Sequence, residues 1–297
     1  KKTTFESNIS AWRRAICGDL TSAFRPFDAK KEKPLPFLEK IPLIQKIHKA
    51  KFKKEPSNFR PLTAAEIADI NNGKQHEQMP SQEPGLRQSS ALPYAPEVNG
   101  KLLNNGTFEM NFHVSDQLFG KQTAASPFIV YAHGLKPEFQ KPPRNYAITP
   151  SDTQQDIWQV ADFNQELYQL QLQGPNGFFR AFKGSAGLKG VEVSVVHDHQ
   201  KIKRNGQPVL LLTVNSSDTE DLKCAIVHHG YGYKGEAVAL KGKSKTVSLN
   251  LAKSFGWYDF TVQISKGTLS AEYRYAGRVE TGKSSYSDPL MSGESKS

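Results

Sequence analysis

From Thr107 onward the chain alternates apolar and polar residues with a period of two. Thr107-Phe108-Glu109-Met110-Asn111-Phe112-His113-Val114 is the pattern of a half-buried strand. Tyr168-Gln169-Leu170-Gln171-Leu172-Gln173 alternates more cleanly still. Gly174-Pro175-Asn176-Gly177 then signals a turn, and Phe178-Phe179-Arg180-Ala181-Phe182 leads into the next strand. Further strands are predicted over 126–132, 190–197, 209–214, 224–228, 246–251, 258–264 and 271–276. Short strands with turn signals about every 8 to 12 residues predict β-sandwiches.

Ahead of this region the pattern differs. Asn8 or Ser10 can cap a helix over 11–17, ended by Gly18, with Trp12, Ala15 and Ile16 on one face. So short a helix needs something to pack against. Together with the Lys1-Lys2-Thr3-Thr4 opening, which has neither an initiator Met nor an apolar signal core, it suggests a piece of a longer protein. A second short helix is predicted over 62–70, with Thr63 as N-cap and Glu66 completing a capping box. Residues 71–90 read as a polar linker.

An internal repeat organises the rest. Asn105-Gly106 precedes a strand, and so does Asn205-Gly206. Ile129-Val130-Tyr131-Ala132-His133-Gly134 is echoed by Ala225-Ile226-Val227-His228-His229-Gly230, and Tyr168-Gln169-Leu170 by Tyr258-Asp259-Phe260. Three landmarks recur in order, which predicts two copies of one β-domain with a boundary near Ala186. The expected organisation is therefore mainly β: two tandem immunoglobulin-like β-sandwich domains at 92–186 and 187–280. A Lys/Pro-rich connector at 29–91 precedes them and a flexible tail at 281–297 follows.

Composition adds limits. With 37% hydrophobic and 23% charged residues the chain is globular rather than disordered. No stretch approaches the roughly 18 to 20 apolar residues of a membrane span. The net charge is +10, and Lys30 to Lys54 holds nine lysines against only Glu32 and Glu39. Such a run is either a solvated linker or an electrostatic contact with anionic phospholipid, carried by Lys46, Lys49, Lys51, Lys53 and Lys54. No zinc-finger or RNA-recognition spacing supports nucleic acid as a partner. Cys17 and Cys224 can form a disulfide but say little about redox compartment.

Candidate chemistry is sparse. His197-x-His199 invites a metal reading, because alternating histidines share one face of a strand and can chelate zinc or copper. His228 and His229, adjacent on a strand, point to opposite faces, and no Cys or Glu stands at ligand spacing. No metal or other cofactor is expected. Gly184-Ser185-Ala186-Gly187 is not a nucleophile elbow, and Glu220-Asp221 reads as a solvated turn, so no catalytic residue is assigned. Phe178, Phe179 and Arg180 have two readings: core residues behind a hairpin turn, or an exposed tip touching lipid or choline.

Two segments resemble a known family. Residues 8–24, from Asn8-Ile9-Ser10-Ala11-Trp12-Arg13-Arg14 to Phe24, resemble the closing stretch of the catalytic domain of bacterial phosphocholine-specific phospholipases C. Residues 170–184, centred on Gly174-Pro175-Asn176-Gly177-Phe178-Phe179-Arg180, resemble the C-terminal domains of the same enzymes, which occur as a tandem pair. Ala11 stands where that pattern has Pro, and Ala181 and Lys183 where it tends to an acid and an Arg.

The resemblance implies that residues 1–28 end a phosphoesterase catalytic domain, whose remainder is the expected partner. The implied parent is a phosphoric diester hydrolase, secreted or periplasmic, that converts phosphatidylcholine or sphingomyelin to phosphocholine. The chain itself carries none of the catalytic motifs. The alternative is a stand-alone tandem immunoglobulin-like module for binding or adhesion.

Overall fold

The computed structural model describes residues 39–52, 54, 60–74, 76, 79, 85–217, 222–239 and 244–291. The predicted helix over 11–17 lies outside them. The chain divides into two compact units, one over 25–83 and one that includes 84–297.

Among its described residues the smaller unit has two helices. α1 (Lys40–Ala50) carries Pro42 in its first turn, where a missing N–H costs little, and His48 and Lys49 in its last turn, where they complement the helix dipole. It buries none of its residues. α2 (Ala64–Asn71) is the helix expected from the capping pattern. Thr63 Oγ1 accepts from Glu66 N–H, and Thr63 N–H donates to Glu66 Oε2 at 2.8 Å. Arg60 Nη1 also donates to Glu66 Oε2, at 2.8 Å.

The larger unit is a two-layer antiparallel β body, mainly β as expected. The first half supplies β2 (Pro96–Leu102), β3 (Thr107–Val114), β4 (Ser126–Ala132), β5 (Arg144–Ile148), β6 (Thr153–Gln159), β7 (Leu167–Gln173) and β8 (Phe179–Ser185). The second half supplies β9 (Val191–His197), α3 (His199–Asn205), β10 (Val209–Ser216), β11 (Lys223–His228), β12 (Glu236–Ala237), β13 (Ser244–Asn250), β14 (Trp257–Lys266) and β15 (Leu269–Arg278). A small outlying pair joins β1 (Gln88–Ser89) to β16 (Ser285–Tyr286).

The sheet orders are palindromic. One sheet runs β13-β10-β9-β2-β3-β6 and the other β12-β11-β14-β15-β8-β7-β4-β5. Each half contributes three strands to the first sheet and four to the second. The halves meet where β2 lies against β9 and β8 pairs with β15, each strand beside its own counterpart and antiparallel to it. A pseudo-two-fold axis therefore relates the halves inside one chain, as in an isologous dimer. At β8–β15 the ladder is regular, from Gly184↔Ala271 to Phe179↔Ala276. At β2–β9 it is reduced to one pair, Lys101↔Glu192.

Alternating inward residues of both sheets fill one continuous core. Phe108 of the first sheet meets Tyr168, Phe182 and Tyr273 of the second, at ring-centroid distances of 4.5, 5.4 and 6.2 Å. Glycines make room for these rings. A Cβ at Gly184 would lie 2.8 Å from Cζ of Tyr168, and one at its counterpart Gly277 would lie 3.2 Å from Cζ of Tyr258. The same small-under-aromatic contact thus recurs in both halves.

The C-terminal stretch differs from the expected flexible tail. Residues up to 291 dock on the body: Trp257 Nε1 donates to Tyr286 O at 3.1 Å, and Tyr231 Oη donates to Asp288 Oδ1 at 3.1 Å.

Candidate functional site

The turn at Gly174-Pro175-Asn176-Gly177 is built as its residues predict, with Asn176 and Gly177 both at positive φ. Its surroundings correct the idea of an exposed tip. Arg180 is 1% exposed and Phe178 4%, while Phe179 is half-buried. Strand alternation decides this: β8 points Arg180 and Phe182 inward and leaves Phe179 towards the outside. The turn itself rests against the second half, where Asn176 Nδ2 donates to Glu280 Oε1 at 2.8 Å.

The buried Arg180 guanidinium sits at the junction of the halves. It donates to Val98 O at 3.3 Å, Phe179 O at 2.8 Å, Ala276 O at 3.0 Å and Tyr258 Oη at 3.1 Å. Its Cζ also lies 3.8 Å from the Phe178 ring centroid and 5.0 Å from that of Tyr275. A buried charge is tolerated only when so surrounded. Each of its three nitrogens is engaged inside the core, so Arg180 serves the packing and is not presented to a phosphate or choline ligand.

The histidine pairs also need correction. His197 ends β9, but His199 is the first residue of α3, so the two do not share a strand. Asp198 between them caps α3, accepting from Lys201 N–H at 3.0 Å. The carboxylate that spacing did not supply comes from Glu97 on β2, one hundred residues away. Glu97 Oε1 accepts from His197 N–H at 2.9 Å, lies 3.1 Å from His197 Nδ1, and lies 3.6 Å from His199 Nε2. Burial pushes the Glu97 carboxyl up, but the two imidazoles and the His197 N–H outweigh it and hold the group well below the usual carboxylate range. The cluster lines a cleft of about 450 Å³ shared with His113, Ser115 and Gln117.

By contrast, His228 and His229 point apart. His228 lies tilted against the rings of Tyr233 and Phe260, while His229 Nε2 lies 2.7 Å from Thr261 Oγ1. Cys224 is a buried thiol, pushed up to about 11 by its burial, and Cys17 lies outside the described residues.

The basic segment contains a helix, α1, that the sequence pattern did not predict. Lys46 and Lys49 lie on α1, and they and Lys51 and Lys54 are exposed; Lys53 lies outside the described residues. On the same helix Ile41, Ile44 and Ile47 are 70%, 52% and 63% exposed, and Phe52 just beyond it is 78% exposed. Ile41, Ile44 and Ile47, spaced by three, form an apolar stripe beside the lysines. Among the described residues no helix is long and apolar enough to cross a membrane.

Among its described residues the chain combines a two-layer antiparallel β body with an exposed basic helix, which places it in the mainly β class. Its relatives are more specific. Residues 88–185 match the family described as bacterial phospholipase C, C-terminal domain. The chain is 31% identical over 294 residues to a non-hemolytic phospholipase C of Pseudomonas aeruginosa, covering 96% of this chain and 38% of that protein. It is 30% identical to a hemolytic phospholipase C of the same organism, over 96% of this chain and 40% of that protein. A non-hemolytic phospholipase C of Burkholderia pseudomallei is 29% identical, over 96% and 37%. The chain is therefore related to the bacterial phospholipases C along nearly all its length, while spanning about two fifths of theirs.

Proposed function

We propose that this chain is the non-catalytic C-terminal region of a secreted phospholipase C, one that hydrolyses phosphatidylcholine or sphingomyelin to phosphocholine. In this reading the β body braces the catalytic domain, which is its partner, and α1 brings the enzyme to the lipid surface. The observation that carries the proposal is the match of residues 88–185 to the phospholipase C C-terminal domain, set within similarity over 96% of the chain to about two fifths of a phospholipase C.

The lipid-surface role rests on α1. A short helix with an apolar stripe flanked by lysines lies flat at a bilayer interface, its apolar side in the acyl boundary and its charges among anionic headgroups. Each such lysine contributes on the order of 1 kcal/mol at an anionic surface.

The non-catalytic reading is tested by incubating the full chain with phosphatidylcholine vesicles and divalent cations, then assaying phosphocholine. No release is expected. Turnover by this chain would overturn it. The parentage is tested by the coding DNA upstream of Lys1: a continuous frame into a phosphoesterase domain is expected, and a frame without one would contradict it.

A further inference from the structure

The sheet that carries β2 and β9 is nearly broken at its centre. Only Lys101↔Glu192 pairs there. Towards the other end of the seam, side chains replace the ladder: Asn99 Oδ1 accepts from Val195 N–H at 2.8 Å and Asn99 Nδ2 donates to Val195 O at 3.3 Å. Beyond Asn99 stands the Glu97–His197–His199 cluster, with one group from the first half and two from the second.

His199 is the unexplained member. Its side chain is 10% exposed, yet neither ring nitrogen has a hydrogen-bond partner. Leaving a buried donor and acceptor unmade costs free energy, so natural cores rarely do it without a reason. Its Nε2 faces Glu97 Oε1 at 3.6 Å, too long for a hydrogen bond. One candidate ligand atom from each of the three residues lies within 4.8 Å of the other two. Ligands about 2.0–2.1 Å from a tetrahedral zinc ion are about 3.3 Å apart, and the 3.1 and 3.6 Å spacings from Glu97 bracket that edge.

The pseudo-two-fold supplies an internal comparison. The counterpart of Glu97 is Glu192, but the positions matching His197 and His199 hold Leu102 and Asn104. The matching cleft is lined by Leu102, Asn104 and Glu192, and there Lys101 Nζ lies 3.9 Å from Glu192. One half-seam has a cation built in; the other has two imidazoles and a carboxylate.

We propose that Glu97, His197 and His199 form a site for one divalent transition-metal ion of the zinc class, which clamps the two halves where the β2–β9 ladder fails. Two imidazoles and one carboxylate suit zinc and disfavour magnesium or calcium, which take oxygen ligands. The three residues line a cleft that water can enter, so water can complete the ligand set. The Glu97 contact with His197 N–H orients the carboxylate as an outer-shell bond does.

The test uses the full chain, stripped with chelator and titrated with Zn²⁺, with Co²⁺ as a visible reporter and Mg²⁺ as comparison. One zinc per chain at about 1 μM or tighter is expected, with four-coordinate cobalt absorption. Saturating zinc should raise Tm by at least about 3 °C. His199→Gln and Glu97→Gln should each weaken zinc binding at least tenfold, while His133→Gln should not change it. His199→Gln should also keep the metal-free Tm, which separates loss of a ligand from loss of fold. Zinc binding that both variants retain, or no binding at 100 μM zinc, would overturn the proposal.

Discussion

The hydroxyls of Tyr168 and Tyr273, one from each half of the β body, lie 3.0 Å apart in the buried core. Their counterparts about the pseudo-two-fold are Tyr258 and Arg180, which meet at 3.1 Å between Tyr258 Oη and Arg180 Nη2. Both contacts tie one half to the other. Burial pushes the Tyr273 hydroxyl up to about 12 and that of Tyr168 well above its ordinary value, so both stay neutral, one donating and the other accepting.

The two contacts should differ in worth. Tyr273→Phe loses one neutral hydrogen bond and is expected to cost about 1 kcal/mol. Arg180→Ala leaves three carbonyls and a phenol without their donor and opens a cavity, for an expected loss of about 3–5 kcal/mol. Urea unfolding of the two variants measures the difference. Equal effects would contradict the role given to Arg180.

Gly184 and Gly277 should behave as a matched pair. Alanine at either forces the overlying Tyr168 or Tyr258 ring to move, at an expected cost of about 1–3 kcal/mol. At Gly184 the added Cβ would meet the ring more closely, whereas Gly277 sits at φ 151°, which also strains any Cβ-bearing residue. Thermal denaturation should find both variants less stable than wild type, and an unchanged Tm in either would contradict the packing described.

The halves should not be separable. Residues 92–186 alone leave β2 and β8 as open edges, which associate or fail to fold. Size-exclusion chromatography with light scattering should find that fragment aggregated or dimeric. The intact body is expected to unfold in one transition by fluorescence and circular dichroism alike. A monomeric, cooperatively folded fragment would show instead that the halves are independent domains.

Glu280 sets an acid-range dependence. Burial raises its carboxyl above the ordinary value of 4.5, against the opposing pull of Arg278, Asn176 and Leu92 N–H. A raised native value means the folded state holds the proton more tightly than the unfolded chain. Its contribution is therefore complete below about pH 4.5 and declines as pH rises through the native value. Between pH 4 and 7 the urea midpoint of wild type should fall relative to that of Glu280→Gln. A relative rise would reverse the sign argued here.

Much of the β body was legible because its strands alternate cleanly. Residues 107–114 and 168–173 carry apolar residues at every second position, and the structure places strands there. β2 and β6 escaped notice for a physical reason. Pro96-Glu97-Val98-Asn99-Gly100 has few apolar residues because the Phe108 ring occupies the space above Gly100. β6, Thr153-Gln154-Gln155-Asp156-Ile157-Trp158-Gln159, is an edge strand with most of its residues exposed. α1 was hidden by lysines, although Ile41, Ile44 and Ile47 already stood at helical spacing.

The site was harder to read than the fold. His197 and His199 looked like neighbours on a strand, and α3 breaks that strand between them. Glu97 carried no local signal, because a ligand set drawn from β2 and the β9–α3 corner exists only after the repeat folds on itself. Phe178 and Arg180 were ambiguous until the β8 register set which faces turned inward. Resemblance named the family, and packing decided what those residues do.

The most direct test of the functional account is co-sedimentation of the full chain with lipid vesicles at low and high salt. The account predicts binding to vesicles containing phosphatidylserine at low salt, weakened by salt, and little binding to pure phosphatidylcholine. Replacing Lys46, Lys49 and Lys51 by Gln should weaken it about 100-fold, from about 1 kcal/mol per lysine. Salt-resistant binding to phosphatidylcholine that survives those substitutions would contradict it and place the lipid contact on the β body instead.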